Sequence, residues 1–535
     1  MTFIRNGLTA TLHRLGEAGV AGLASLAIGI TIAATPLASA DAKTRFVFAN
    51  SSAYDNLDPH VVFDVGRVAS RLNLYDGLLR WEDNPPKLEN WLAESYEISK
   101  DGLTYTFKLR NGAKFHDGSA IEASDVVYSM ERILALKKGA SALFTGVIEP
   151  GSTKAPDKLT VEFHLSQPSA IFLATVPEIH VVNADLVKKN EKDGDWGSAW
   201  LSKNDAGSGS YELKRYDPAV GFTAARFADH FIPWGKKYFD EVDFRTVVEI
   251  NSRVLGLMKG DFQGSDGYMP QDQIIRLKAA DNIDMYEQES MRIFYAAVHN
   301  GRPPLDDVNY RKALSYAFDY DGFITNILSG SVARDPVPIP NNIWGAPKDP
   351  KGYTYDLEKA KEHLAKAKGP TDRELTIGVL AGYNQSEQAA ALLQNGLSKI
   401  GIKSKLVIEP WPVVSNKMRD EQQMYDLVFL WKSTYYADPN NWVGEMYDSA
   451  KIGSRNNSWY KNPEVDRLLH EAQVSTDMEV RRANYEKASL MVMEDAAGIF
   501  VYNTKWFGPF NKKVKGIRFC PIGNGQEARW LYPAG

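Results

Sequence analysis

The chain has 535 residues, with 62 Lys and Arg against 67 Asp and Glu, so its formal net charge is −5 at pH 7. This mild acidity gives no reason to expect a nucleic-acid or polyanionic partner. The lone Cys520 cannot form an intramolecular disulfide, and we expect a small buried apolar residue near the C-terminal strand.

The N-terminal segment is typical of a cleavable export signal. Basic residues around Arg14 precede an apolar run from Val20 to Ala34, and Ala38-Ser39-Ala40 has the small residues of a cleavage site. A membrane anchor is the competing interpretation, but the run is short, rich in small residues and lacks a basic stop-transfer flank. We therefore expect cleavage after Ala40 and a soluble protein of about 495 residues in a Gram-negative periplasm.

The first regular elements are a strand, a turn and a helix. Apolar and polar residues alternate from Leu103 to Arg110, as in a half-buried strand. Asn111-Gly112 predicts a tight hairpin turn into a second strand at Lys114-Phe115. Ser124 is placed to cap the helix that follows. Without further context, this is an α+β fragment with no function of its own.

Helical and strand periods stay interleaved through the second half, which indicates an α/β architecture. Met291–Val298 predicts a mostly apolar strand, and the break at Gly301–Pro304 is a place for the chain to pass between lobes. The later predicted elements are an amphipathic helix Tyr310–Leu328 interrupted near Asp321-Gly322, a surface helix Asp356–Lys368, a βαβ unit (Leu375–Leu380, Gln388–Ile400, Lys403–Glu409), a strand Tyr425–Trp431, a helix Thr476–Ala496 and a strand Ile499–Tyr502.

Two of these segments resemble motifs of one protein family. Asp101–Arg132 resembles the signature of the extracytoplasmic solute-binding proteins of ABC importers, in the peptide-binding family 5 class. Pro303–Leu314 is similar to that family's block of paired prolines, an Asp-Asp turn and an Arg-x-Ala-Leu helix, and Tyr316–Asp319 continues the match. Shorter matches lie at Leu57-Asp58-Pro59, Leu74–Leu78, Gly207–Tyr211 and Asp438-Pro439. Together they extend over nearly all of the chain after the export signal.

The resemblance implies an α/β, two-lobed periplasmic-binding-protein fold (type II-like, cluster C) with two crossing strands and an extra subdomain in the first lobe. Lobe I would comprise residues 41–71, 183–296 and 501–535, with the extra subdomain at 72–182 and lobe II at 297–500. The implied function is capture of peptides or peptide-like solutes in an interlobe cleft. Delivery would be to inner-membrane ABC permease subunits with separate ATPase subunits, and we expect a monomer.

The residues themselves give no support for an enzyme or for a metal or cofactor. The nine His residues are scattered outside zinc-binding spacings, and there is no Walker A lysine motif. Gly207-Ser208-Gly209-Ser210 is not a nucleophile elbow, and Asp319–Gly322 lacks ligands that a calcium loop requires. We predict a binding protein that performs no catalysis.

The resemblance also implies which aromatic residues line the cleft, although core packing is an alternative for each. Trp411, Trp431 and Tyr502 match cleft positions of the family, and Tyr54, Tyr75 and Tyr295 are looser candidates. The ligand-binding set that we predict is Trp411, Trp431, Thr434, Tyr435, Tyr436, Asp438, Tyr502, Tyr54 and Tyr295.

One departure from the family bears on the ligand. Peptide-binding members have an Asp that pairs with the peptide ammonium group, and this chain has Thr434 or Tyr435 at that place. A buried ammonium without a counter-charge is costly. Asp438 is not a safe substitute, because an acidic residue there commonly only caps the turn. Tyr383-Asn384-Gln385 likewise lacks the Arg that dipeptide-binding relatives carry. A non-peptide solute such as an opine, a sugar conjugate or a small glycan is the alternative, and a nickel chelate is a third option without a His cluster.

Overall fold

The computed structural model describes residues 43–369, 372–523 and 525–535. The predicted export signal and its cleavage after Ala40 lie outside these residues. Within them, no helix combines the length and the apolar character that crossing a membrane would require.

The strands, in chain order, are β1 Arg45–Asn50, β2 Leu79–Glu82, β3 Lys87–Asn90, β4 Ala93–Ile98, β5 Thr104–Leu109, β6 Ile148–Asp157, β7 Thr160–Leu165, β8 Tyr211–Asp217, β9 Gly221–Arg226, β10 Glu241–Thr246, β11 Gly264–Ser265, β12 Ile283–Val298, β13 Ala333–Arg334, β14 Leu375–Leu380, β15 Ser404–Glu409, β16 Leu427–Lys432, β17 Gly498–Asn511, β18 Val514–Lys515 and β19 Tyr532–Pro533.

The α-helices are α1 Val68–Leu74, α2 Ala123–Leu136, α3 Phe172–Thr175, α4 Ala184–Lys189, α5 Ser198–Leu201, α6 Ile250–Lys259, α7 Gln271–Lys278, α8 Val308–Tyr316, α9 Tyr320–Gly322, α10 Leu357–Lys366, α11 Asn384–Lys399, α12 Trp411–Lys417, α13 Val443–Tyr447, α14 Pro463–Val474 and α15 Met478–Glu494. Short 3₁₀ or π turns lie at Gly139–Leu143, Val176–Glu178, Phe323–Ile327, Pro439–Asn441 and Ser449–Lys451.

Two long strands, β12 and β17, pair antiparallel near the middle of a sheet that has 11 strands in the described part of the chain. Beyond β12 the order is β16, β14, β15, and beyond β17 it is β11, β1, β10, β9, β8, while the short β13 also pairs with β17. The first group belongs to the second lobe and the other to the first lobe, so β12 and β17 cross between them. The predicted two-lobed α/β fold with crossing strands is thereby confirmed.

Both crossing strands are longer than their sequences suggest. The predicted strands Met291–Val298 and Ile499–Tyr502 correspond to the buried parts of β12 and β17. The first-lobe part of β12 includes Glu287, Gln288 and Glu289, which are exposed. Because those residues show no apolar pattern, the sequence predicts only the apolar part of β12.

The predicted βαβ unit of the second lobe is confirmed. β14 and β15 pair in parallel and are connected through α11, and β16 pairs in parallel with β14. Their carboxyl ends, at Leu380, Glu409 and Lys432, therefore lie at one edge of the sheet. In open parallel sheets this is the edge at which ligands bind.

The predicted hairpin through Asn111-Gly112 is wrong. β5 pairs with β4 and β7 in a separate sheet of order β4-β5-β7-β6, and Lys114 forms only an isolated bridge with Ala120. Gly112 does have a positive φ of 83°, so the turn forms, but the chain continues into a loop. The fragment lacks the apolar alternation needed for a full second strand.

Two helix predictions also need correction. Glu122, not Ser124, is the N-cap of α2, and its backbone N–H donates to Asp125 Oδ2 at 2.9 Å. The helix predicted to be interrupted near Asp321-Gly322 ends earlier, at Tyr316, because the Asp319 carboxylate accepts from Gly322 N at 2.8 Å and starts a new turn.

Buried side chains form separate hydrophobic cores in the lobes. One core contains residues between Leu78 and Val181 and includes the four-stranded sheet. Another joins Phe46 of β1 with Val514 and Leu531, so the C-terminal segment returns to the first lobe. Two more contain mainly second-lobe side chains and lie on opposite faces of β16. The domain boundaries at 72, 182, 297 and 500 stay predictions.

Candidate ligand-binding site between the lobes

The segment that follows β16 contacts the first lobe. Thr434 Oγ1 donates to Met291 O on β12 at 2.8 Å, and Gly523 N of the C-terminal segment donates to Thr434 O at 3.3 Å. The Tyr435 ring lies 4.9 Å from the ring of Phe63, which belongs to the loop between β1 and α1. The boundary between the lobes therefore passes along Ser433–Tyr435.

A bulge on β12 places Arg292 at the same boundary. The pairing of β12 with β17 loses its register between Glu289 and Ile293, and Ser290 Oγ donates to Thr504 O at 2.9 Å within the irregular stretch. The Arg292 guanidinium carbon lies 4.8 Å from the ring centre of Tyr268 and 4.9 Å from that of Trp431. Since Tyr268 follows β11 and Trp431 lies near the end of β16, the two rings come from different lobes.

Aromatic side chains extend from Trp431 along the second lobe. Its ring lies 4.7 Å from Phe294 and 5.6 Å from Tyr383, and Phe294 stacks on Tyr502 at 5.0 Å. The Tyr502 hydroxyl donates to Gln385 Oε1 at 3.0 Å. Of these residues, Tyr383 is the most accessible, with 47% exposure. Together these rings form an aromatic wall. Phe294 and Tyr502 are buried and support the wall from behind, while Trp431 and Tyr383 are the members accessible for stacking on a guest.

The opposite face of β16 carries a second cation. Lys432 is half-buried, and burial, reinforced by the positive charge of Arg455, lowers its pKa to about 7. Its Nζ lies 5.5 Å from the Tyr435 ring, and the Arg455 guanidinium lies 5.2 Å from the same ring. Glu445, the acid that acts on Lys432, forms a salt bridge with Arg455 at 3.2 Å.

A buried carboxyl group lies beside β17, in the segment after β13. Asp335 is 3% exposed, and burial raises its pKa to about 7. Its backbone N donates to Val501 O at 3.3 Å, while Oδ2 has no hydrogen-bond partner in the described residues. This carboxyl group is therefore about half protonated at neutral pH, where an ordinary Asp is ionised.

The remaining predicted residues have other surroundings. Trp411 begins α12 after the carboxyl end of β15 and is 47% exposed. Tyr54 packs edge-on against Phe222 in the first-lobe core, and Tyr295 stacks on Phe500. These placements favour packing for Tyr54 and Tyr295 and solvent contact for Trp411. Their assignment to the ligand stays a prediction.

Tyr436 and Asp438 take part in a buried network within the second lobe. The Tyr436 hydroxyl accepts from Asn440 Nδ2 at 2.9 Å. Asp438 accepts from Arg481 Nη2 at 2.7 Å and from Asn440 N at 3.0 Å. The hydrogen bonds of both side chains are therefore satisfied within the protein, without a ligand. For Asp438 this agrees with the sequence analysis, in which it was not a safe substitute for the missing Asp. The role of both residues in binding stays a prediction.

Sequence reasoning missed Arg292, Tyr268, Phe63, Tyr383 and Lys432 as site residues. For Arg292 a signal was present, because it is the lone charge in the otherwise apolar stretch Met291–Val298. The other four become neighbours of the site only through the tertiary fold. Among the described residues, no group of three or more His, Cys, Asp or Glu side chains is placed to hold a metal ion.

Comparison with known proteins agrees with this architecture. The family model for bacterial extracellular solute-binding proteins, family 5 Middle, matches residues 87–454. The chain is 32% identical over 491 residues to the "Probable D,D-dipeptide-binding periplasmic protein DdpA" of Escherichia coli K12, covering 90% of this chain and 92% of that protein. It is 28% identical to the dipeptide-binding protein of the same organism, covering 93% of this chain and 96% of that protein.

A solved structure shows the same fold. The ABC transporter-associated periplasmic binding protein DppA from Helicobacter pylori, in complex with the peptide STSA, superposes with a TM-score of 0.80 at 25% sequence identity. The match covers 92% of this chain and 99% of that one. Since the family model spans more than half of the sequence and a curated relative exceeds 30% identity over most of it, the chain belongs to the bacterial extracellular solute-binding proteins of family 5.

Proposed function

We propose that this protein captures a short peptide or peptide-like solute between its lobes in the periplasm and delivers it to an ABC permease powered by separate ATPase subunits. The observation that carries the proposal is the enclosure of Arg292 between aromatic rings from the two lobes, beside the wall formed by Trp431, Tyr383 and Tyr502. A cleft built in this way encloses a guest when the lobes close and needs no nucleophile.

The peptide assignment is supported by the relatives. Two curated proteins that align over nearly their whole length are named for binding D,D-dipeptides and dipeptides. We infer that a dipeptide is the first ligand to test. The protein would bind it without turnover, as a monomer, after removal of residues 1–40. The lobes would have the boundaries that the sequence predicts.

Native mass spectrometry of protein purified gently from periplasm tests this function. We expect a bound small molecule whose release yields peptide masses. A single non-peptide mass would overturn the peptide assignment in favour of a solute such as an opine or sugar conjugate.

If the protein is purified empty, isothermal titration with D-Ala-D-Ala and L-Ala-L-Ala decides the question. Micromolar or tighter binding without any change in the recovered dipeptide supports a binding protein. If neither dipeptide binds, the dipeptide proposal is wrong. If either dipeptide is hydrolysed during incubation, the proposal that the protein binds without turnover is wrong.

A further inference from the structure

Arg292 differs from the other enclosed arginines in having no partner. Several buried guanidinium groups pair with carboxylates, as Arg132 does with Asp58, Arg253 with Asp266 and Arg481 with Asp438, whereas Arg311 and Arg529 donate to backbone carbonyls. No salt bridge or side-chain hydrogen bond of Arg292 occurs within residues 43–369, 372–523 and 525–535, and its buried Nε lacks an acceptor. An unpaired Nε alone does not set Arg292 apart, since Arg253 shares it; the difference is that the half-buried Arg292 side chain has no hydrogen-bond acceptor at any of its nitrogens in the described residues.

The two rings restrict how Arg292 can be approached. Tyr268 and Trp431 lie near the guanidinium at 4.8 and 4.9 Å and hold it through cation–π contacts. The donors of a guanidinium lie in its own plane, along its edge. A carboxylate that meets this edge accepts two parallel hydrogen bonds, which is the pairing for which a planar guanidinium is best suited.

The charged groups around the boundary do not neutralise Arg292. Asp266 is already paired with Arg253, and Asp64 accepts from Gly66 N. Glu289, three residues earlier on β12, is exposed and forms no salt bridge in the described part of the chain. Lys432, on the other face of β16, is a second basic group, with a pKa that burial lowers to about 7, and it supplies no acid. None of these groups pairs with Arg292, and the other unpaired carboxyl near the crossing strands, Asp335, forms no salt bridge with it in the described residues.

We propose that Arg292 binds a carboxylate of the ligand, so that the acidic end of a short peptide or peptide-like solute is the group recognised by charge. This inference rests on the proposed function. It agrees with the lack of a carboxylate at Thr434 and Tyr435, where relatives that bind a peptide ammonium have an Asp. The two aromatic rings would hold the guanidinium ready, and lobe closure would remove water from the ion pair.

Calorimetry with matched dipeptides tests the inference. The probes are D-Ala-D-Ala and L-Ala-L-Ala as free acids, as C-terminal amides and as N-acetyl derivatives. We expect the wild type to bind the free acid about 30-fold or more tightly than the amide, since loss of a partner from an enclosed charge pair has this order of effect. N-acetylation should change the affinity much less.

The matched variants are Arg292→Met, Arg292→Lys and, as a control, Arg276→Met on the exposed surface of α7. Arg292→Met should bind acid and amide equally, Arg292→Lys should discriminate weakly, and Arg276→Met should behave as wild type. The unfolding temperature of each empty variant establishes that it is folded. An Arg292→Met protein that still prefers the acid, or a wild type that binds acid and amide equally, overturns the inference while leaving peptide capture intact.

If neither dipeptide binds the wild type, the dipeptide proposal fails and native mass spectrometry decides the role of Arg292. Wild-type and Arg292→Met proteins purified in parallel from periplasm would then be compared for bound small-molecule mass. Loss of that mass in Arg292→Met supports the inference, and equal occupancy overturns it. A wild type that carries no bound mass overturns both proposals.

Discussion

At the scale of single residues, burial disfavours the charged forms of both Asp335 and Lys432. It raises the pKa of the carboxyl group to about 7 and lowers that of the ammonium group to about 7, because a low-dielectric surrounding disfavours either charge. Both residues lie in segments that adjoin the crossing strands. Their protonation at neutral pH is therefore set by the fold rather than by the residue type.

Replacing Asp335 by Asn should stabilise the protein increasingly as pH rises from about 4 to about 7. Below pH 4 the carboxyl is protonated in both folded and unfolded chains. Between these values only the unfolded chain loses its proton, so wild-type stability falls with rising pH, and above about 7 the full cost of the buried charge is present. Arg334 and Glu289 are the charged side chains that act on it.

The measurement is the unfolding temperature of both proteins at pH 4, 6 and 8. Asp281→Asn, which changes an exposed carboxyl, is the control and should shift the unfolding temperature little at any pH. An equal gain for Asp335→Asn at pH 4 and pH 8 would contradict the raised pKa.

Trp431→Ala should weaken dipeptide binding by roughly tenfold or more, since an enclosed aromatic residue at the centre of an interface contributes strongly to affinity. It should also cost about 3 kcal/mol of folding free energy, because Trp431 packs on Phe294. Trp411→Ala is the matched comparison: its side chain is 47% exposed, so stability should hold. Titration calorimetry and chemical denaturation give both quantities, and unchanged affinity in Trp431→Ala would remove it from the site.

At the scale of elements, the start of α2 depends on a side chain that the sequence did not single out. Asp125 Oδ2 accepts from the N-cap Glu122 N at 2.9 Å, and its Oδ1 accepts from Ala184 N at 3.1 Å. One carboxylate thus fixes the helix end and attaches it to the start of α4. Ser124, although of a good capping type, is exposed.

Asp125→Ala should therefore cost about 1 to 2 kcal/mol in the free energy of unfolding, since it removes a capping bond and leaves two backbone donors unpaired. Ser124→Ala should be within about 0.5 kcal/mol of wild type. Urea denaturation of the two variants measures the difference. A larger loss for Ser124→Ala would restore Ser124 as the cap.

Elements with a strong local pattern could be predicted from the sequence, and those defined by partners could not. The βαβ unit around α11 has clear helical and strand periods, and its predicted order is correct. The hairpin after β5 failed because its turn signal was local while the partner strand, β7, lies some fifty residues later. Candidate-site aromatic residues such as Trp431 were predicted from the family resemblance. Arg292 stood out as the lone charge in the stretch Met291–Val298, but its contacts with the rings of Tyr268 and Trp431 could not be predicted because those residues are distant in sequence.

At the scale of the whole molecule, the lobes touch at several points besides the crossing strands. Ala170 N donates to Gln473 O at 2.8 Å, and Asn342 Nδ2 donates to Asn84 Oδ1 at 3.0 Å. The rings of Phe63 and Tyr435 also meet across the boundary. These contacts join the two lobes in this structure, and we expect bending between the lobes to occur at the irregular register of β12 between Glu289 and Ile293.

Small-angle X-ray scattering should show a smaller radius of gyration with saturating dipeptide than without it, because ligand contacts with both lobes favour the closed arrangement. Phe63→Ala should weaken this contraction at a given degree of saturation, since it removes a contact that exists only when the lobes meet. An identical radius with and without bound dipeptide would show that capture does not depend on closure.

The return of the C-terminal segment to the first lobe has a consequence for the order of folding. The side chain of Asn73 donates to Gln526 O at 2.9 Å and accepts from Ala528 N at 2.8 Å, and Leu531 packs in the same core as Phe46. The first lobe thus depends on contacts between the start and the end of the chain, and contacts so distant in sequence form slowly. A core such as that between Leu78 and Val181 can assemble beforehand from a continuous stretch. We therefore expect the first lobe to complete its core only after the C-terminal segment has joined it.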